Sequence, residues 1–174
     1  MVTTIVIPHN QASAPRVQEL ASVGDFQEVA GGWLEPFDVP TLGITLWANQ
    51  AAPREHLRMN SRATALCWYY NTRVETASLV VGDVVVSGAV TPEESADVPE
   101  QVLAGLLSSH EFVVQVSPDD DGVWHDTSAR FGNIFEAALW CMLFAHSVCP
   151  GPGFRFTVNE LSDESRGAWG SGSW

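Results

Sequence analysis

The stretch Asp25-Phe26-Gln27-Glu28-Val29-Ala30-Gly31-Gly32-Trp33-Leu34-Glu35 changes backbone state within eleven residues. Asp25 is a helix-capping type, and Glu28 stands three residues on. Gly31 suits the left-handed residue that closes a helix. The pattern predicts a short helix over 26–30. Trp33 to Val39 then reads as a strand, turned back through Pro40-Thr41-Leu42-Gly43 into Ile44 to Asn49. A short helix running directly into a strand pair points to an α+β protein.

The flanking sequence extends this reading. Thr3 to Ile7 is β-rich and stops at Pro8. A polar loop, His9 to Ala14, leads to Pro15, which suits the first turn of a helix through Leu20. Ser61 to Tyr70 reads as a helix or an irregular packed segment. Leu79 to Val86 is an apolar run broken at Gly82-Asp83, either a bent strand or a hairpin. Asp97-Val98-Pro99-Glu100 opens a helix with Val102, Leu103, Leu106 and Leu107 on one stripe.

A second unit starts near His110. Phe112 to Val116 and Val123 to Thr127 flank an Asp-Gly turn, a hairpin signal. Asn133 and Glu136 begin a helix that runs to about Val148, and Phe154 to Val158 alternates as a half-buried strand. The order is ββαβ, a small sheet with one covering helix. The expected organisation is therefore two small mixed units, 1–107 and 108–160, followed by a Gly/Ser/Trp tail at 161–174. The second helix is apolar nearly all round, so it must be covered on more than one side, by the other unit or by another subunit.

Composition limits the function. The 174 residues include 21 Asp+Glu against 8 Lys+Arg, all eight of them Arg, for a net charge of −13. Such a chain is a poor ligand for a phosphate backbone, so no direct nucleic-acid binding is expected. The longest apolar run, Ala137 to Ala145, is far short of the ~20 residues of a membrane span. The N-terminus lacks the basic and apolar regions of a signal peptide, and three scattered cysteines fit a reducing cytoplasm. The charge is also uneven. From Val74 to Ala129 there are eleven acids and no Arg, whereas residues 54–73 carry four Arg and one Glu. This polarity predicts an acidic face toward a basic protein partner, with an ordinary solvated surface as the bland alternative. Glu93, Glu94, Asp97 and Asp119-Asp120-Asp121 are its candidate carboxylates. Trp68 and Tyr69 are its candidate aromatic anchors, with core packing as their alternative.

Four pieces of the first unit occur together in order: Phe26 to Glu35; Asn49 followed eleven residues later by Asn60, with Arg62 and Ala63 beyond it; Val81-Gly82-Asp83-Val84-Val85-Val86; and the helix after Pro99-Glu100. Over about residues 3–107 the chain resembles the domain-of-unknown-function family 3846 of phages and mobile elements. It departs from that pattern at Ala52 and His56, where the family often has Gly, and at Gln50-Ala51, where an acidic pair is usual. The resemblance implies an accessory gene product acting in the host cytoplasm, and implies no activity.

Asn49, Asn60 and Arg62 are the candidate ligand-binding set, since amides and a guanidinium fork suit an anion or nucleotide. The competing reading is that the asparagines cap turns and a helix start. Asp119-Asp120-Asp121-Gly122 lacks the spaced ligands of a calcium loop. Cys141, His146 and Cys149 lack a fourth zinc ligand and a common helix face. No nucleophile stands beside a base in any local signature, so no cofactor, metal or catalytic residue is expected. The function expected is a non-enzymatic accessory protein that binds a host protein through an acidic surface, as a counter-defence factor or a DNA mimic. A small-ligand binder and a self-assembling component, the latter as a homo-oligomer, are the alternatives.

Overall fold

The computed structural model describes residues 1–51, 58–70, 79–90, 96–107, 110–118, 122–145 and 152–159. The chain is α+β, with four helices and two antiparallel sheets among these residues. The first sheet holds β1 (Val2–Ile7), β2 (Arg16–Leu20), β3 (Leu34–Val39), β4 (Ile44–Asn49) and β5 (Val84–Gly88) in the order β2-β1-β5-β4-β3. The second holds β6 (Phe112–Ser117), β7 (His125–Phe131) and β8 (Gly153–Val158) in the order β7-β6-β8. The helices are α1 (Val23–Ala30), α2 (Ser61–Tyr70), α3 (Glu100–Leu107) and α4 (Ile134–Leu143).

Two local expectations are corrected. Arg16 to Leu20 is a strand, not a helix, because β1 pairs with it from Val2↔Leu20 to Val6↔Arg16. A five-residue segment has little helical stability of its own, and the ladder decides its state. Asp25 is not the cap of α1. Ser22 is the cap, and Asp25 is the third helical residue of a reciprocal capping box. Asp25 Oδ2 accepts from the backbone N–H of Ala21 at 2.7 Å and of Ser22 at 2.8 Å. These two donors hold its carboxyl below the usual carboxylate range.

The period-2 alternation of strands gives the first sheet two distinct faces. Val84 and Val86 point into the main core, and Val85 between them points to the other side. The inner face (Ile5, Ile7, Ile44, Leu46, Val84, Val86) joins α2, α3, α4 and Phe112, Val114, Phe154 and Phe156 of the second sheet in one apolar cluster. Tyr69 of α2 lies against Phe156, ring centroids 4.6 Å apart. Helix α4 is thus covered by α2 and by the second sheet, as its apolar character requires. The outer face carries α1 and a smaller cluster of Leu20, Phe26 and Val85 with Val29, Leu34 and Trp47.

Candidate functional site

Asn60 precedes α2 and is fully buried. Its amide nitrogen donates to the carbonyls of Ile7 (2.9 Å) and Gly82 (3.0 Å), and its Oδ1 accepts from Ala63 N–H (3.1 Å). Both donors are consumed, so this side chain ties the end of β1, the approach to β5 and the start of α2 to one point. Arg62 donates to the carbonyls of Ser13 and Gln11, both at 2.7 Å, and clasps the loop between β1 and β2. Asn49 is buried on β4. Its Nδ2 donates to Gly31 O (3.0 Å) and its Oδ1 accepts from Ala51 N–H (2.8 Å). A Cβ added to Gly32 would lie 2.7 Å from Asn49 Nδ2, so the second glycine of the Gly-Gly pair is there for close approach. The three candidate ligand residues thus each bond to backbone, and none of them lines either of the two recesses beside α1.

Of the candidate acidic and aromatic residues, Trp68, Tyr69 and Asp97 lie among the described residues. Tyr69 is 1% exposed, with its hydroxyl accepting from Phe156 N–H at 3.4 Å, so it is no surface anchor. Trp68 is partly buried and packed on the core. Glu93 and Glu94 lie outside the described residues, as do Asp119, Asp120 and Asp121. Asp97 is exposed, and its Oδ1 accepts from Thr3 N–H at 2.7 Å. Its segment also crosses β5 closely: a Cβ on Gly88 would sit 2.2 Å from Asp97 O.

What the fold does assemble lies beside α1. A recess of about 720 Å³ is lined by Val2, Leu20, Phe26, Leu34, Trp47 and Asp97, among others. Phe26 and Trp47 meet edge to face in it, centroids 6.1 Å apart, and Trp47 Nε1 donates to Ser87 Oγ at 2.9 Å. A second recess of about 520 Å³ shares Leu20 and Ala21 with the first and is lined by Glu19, Asp25 and Glu28. Neither lining contains an arginine. The two recesses thus adjoin beside α1. Strand alternation turns Glu19 to the face opposite Leu20, so the acids on the outer face are Asp25 and Glu28 of α1, with Glu19 at the β2 edge. The sequence offered Asp25 and Glu28 only as capping residues, and Glu19, Asp25 and Glu28 were not expected in an acidic face because they precede the acid-rich interval.

Sequence reasoning also missed a side-chain pair. His9 Nδ1 lies 2.6 Å from Asp83 Oδ1, which also accepts from His9 N–H at 2.9 Å. Seventy-four residues separate the two, so no spacing rule finds them. Among the described residues no three metal-ligating side chains converge. Cys67 and Cys141 are buried, and burial pushes each thiol up to about 12. Among the described residues no helix is long and apolar enough to cross a membrane.

The family model for the domain of unknown function DUF3846 matches residues 2–110. The chain belongs to this family. No curated protein and no solved structure matches it. The DUF3846 span covers the first sheet and α1 to α3, and two pairs of the ordered sequence pieces are joined in space. The Gly-Gly stretch is joined to the first asparagine through Asn49 and Gly31. The second asparagine is joined to the Val81-Gly82-Asp83 stretch through Asn60 and Gly82, where Gly82 has φ +75°. In this chain Asn49 and Asn60 are backbone joints of the fold.

Proposed function

We propose that this protein is a non-enzymatic accessory protein of a phage or mobile element. In the cytoplasm of its host it docks a host protein with a basic surface on the outer face of its first sheet. One observation carries the reading: the apolar recess of Leu20, Phe26, Leu34 and Trp47 adjoins a rim of Glu19, Asp25 and Glu28 that has no arginine in it. Buried apolar pockets supply binding energy, while a carboxylate rim steers a cationic partner and rejects others. Burial raises the thiols of Cys67 and Cys141, so these two are poor nucleophiles near neutrality. This reading rests on the recess and needs no line of acids imitating DNA.

Affinity capture from host lysate at low ionic strength tests it, with the doubly reversed Glu19→Arg, Glu28→Arg protein alongside. A partner held by the wild type, lost from the variant and released as salt rises is the expected result. A partner held equally by both and indifferent to salt, or no partner, sinks it.

A small-ligand function is favoured by one observation: about 720 Å³ is the size of a drug-like pocket, typically ~300–1,000 Å³. Thermal-shift screening separates the two, because a ligand at about 100 times its Kd adds about 2.7 kcal/mol. A self-assembling role would use Leu139 and Leu143, exposed at i,i+4 on α4, and light scattering of the purified protein reads it.

A further inference from the structure

We infer that the open edge of β2 receives an extended, Arg- or Lys-bearing segment of the partner as an added strand. One apolar side chain of that segment sits in the recess floored by Leu20, Phe26, Leu34 and Trp47. This inference rests on the reading of the outer face as the docking surface and specifies how the partner is held.

Strand β2 pairs with β1 on one side, and among the described residues nothing pairs with its other edge. In an antiparallel ladder each residue directs its N–H and C=O to one side, and successive residues alternate. Every second residue of Arg16–Leu20 therefore presents an outward donor and acceptor. Proteins commonly blunt such edges with Pro, Lys or a bulge. The opposite edge, β3, has Pro36. The β2 edge has no proline, its charges are Arg16 and Glu19, and its register with β1 runs from Val2↔Leu20 to Val6↔Arg16 without a bulge. Among the described residues, then, β3 is blunted by a proline, and β2 is left without a pairing strand on its outer side.

The surroundings of the open edge set the guest's chemistry. The acidic recess is lined by Gln18, Glu19, Leu20 and Ala21 from β2 and its end, and by Asp25, Glu28 and Val29 from α1. A guest strand along this edge passes the three carboxylates and reaches the apolar recess at Leu20. Arg16 stands at the other end of β2, so the guest's cationic residues belong at the Leu20 end. Guest side chains alternate between the two faces. One set points to the recess, and the other lies beside Val17, which is 48% exposed. A second copy of the chain is a poor guest, because each copy carries a net charge of −13. Backbone bonds from the edge and side-chain pockets beside it are the two ingredients of strand addition.

The test uses the full chain and a synthetic heptapeptide alternating Arg with Leu and Val. Amide exchange and chemical shifts of the protein are followed during titration. Exchange should slow at alternate amides within Arg16–Leu20, and the side-chain signals of Phe26 and Trp47 should shift. An analogue N-methylated at alternate peptide amides keeps its side chains and loses two or three backbone hydrogen bonds. It should bind about tenfold more weakly or worse. The protein is unaltered in this comparison, so misfolding cannot imitate the result. Salt-sensitive binding that ignores N-methylation and leaves the β2 amides unprotected overturns strand addition but preserves the face as a docking surface. Absence of binding to the basic peptide overturns both. Protection of the β2 amides before peptide is added, with a dimer in light scattering, assigns the edge to a second copy and overturns the basic guest.

Discussion

Val84 and Val86 of β5 face a cluster that continues through α2 and α4 to the second sheet, whereas Val85 faces only α1, Trp47 and their neighbours. The same strand therefore serves a thick, closed layer on one side and a thin, open one on the other. On the inner side Ile5, Ile7, Leu46 and Val86 are buried against further buried side chains. On the outer side Leu20 and Phe26 are buried, yet they also line a recess that reaches solvent. Closure on every side suits stability, because each methylene lost leaves a void. Incomplete cover leaves apolar surface for a partner. The difference separates the part of the fold that carries stability from the part that we propose carries recognition.

The largest test of this separation is Leu46→Ala. It empties a fully buried site on the inner side and should cost about 2–5 kcal/mol in urea unfolding. Val85→Ala on the outer side should cost less, about 1.6 kcal/mol at ~0.8 kcal/mol per methylene. A loss for Val85→Ala as large as that for Leu46→Ala would break the comparison, since it would make the outer layer the more closed of the two.

Next is Gly32→Ala at the joint that carries the chain from α1 into β3. The new methyl group would lie 2.7–2.9 Å from three atoms of the Asn49 side chain, and overpacking of this kind costs about 1–3 kcal/mol. In an Asn49→Ala background the clash disappears, so the cost of Gly32→Ala should fall below 1 kcal/mol by this principle. A cost unchanged by Asn49→Ala would show that the glycine is required for another reason.

Legibility in the sequence followed the range of the interactions. The strand pair β3–β4, helix α3 and the ββαβ order could be read because turns, caps and alternation are local. Strand β2 could not, because Pro15 suits a helix start and the ladder that decides the matter comes from β1. The boundary of α1 moved for a similar reason: Asp25 was read as the cap, and Ser22 takes that place with Asp25 reaching back to it. The acidic sign of the surface was plain from composition, but its location was not. The recess draws on β1, β2, α1, β3, β4 and the segment at Asp97, whose bond to Thr3 spans 94 residues. Asn49 and Asn60 were legible as polar residues in a recurring spacing. Only the coordinates show that their bonds go to backbone.

The third prediction concerns the entry to α1, which walls both recesses. Ser22→Ala removes the cap and should cost about 1 kcal/mol. Asp25 adds a pH dependence of known sign. Its folded pKa lies below the ordinary carboxylate value because Ala21 and Ser22 N–H donate to it. It therefore contributes stability above the unfolded pKa of about 4, and that contribution is lost as pH falls through the lower folded value. The stability gap between wild type and Asp25→Ala should be constant near neutrality and narrow below about pH 4. A gap that widens on acidification would contradict the capping geometry.

The smallest effect on stability is the most direct test of recognition. Glu19 is exposed on β2 and lines the acidic recess. Substitution by Gln keeps the size and the strand and removes one charge. Exposed positions of this kind alter stability by less than about 0.5 kcal/mol. The outer-face reading nevertheless expects weaker association with the basic heptapeptide at low salt and convergence with the wild type at high salt, as the Debye length shrinks from about 10 Å at 0.1 M toward 3 Å at 1 M. Glu136→Gln on α4 is the matching control, since it removes an exposed carboxylate far from either recess lining. Losses that are equal for both substitutions would mean that the partner senses net charge alone. A loss confined to Glu19→Gln, with urea midpoints unchanged, would place recognition at the β2 edge beside α1 and leave the closed face to stability.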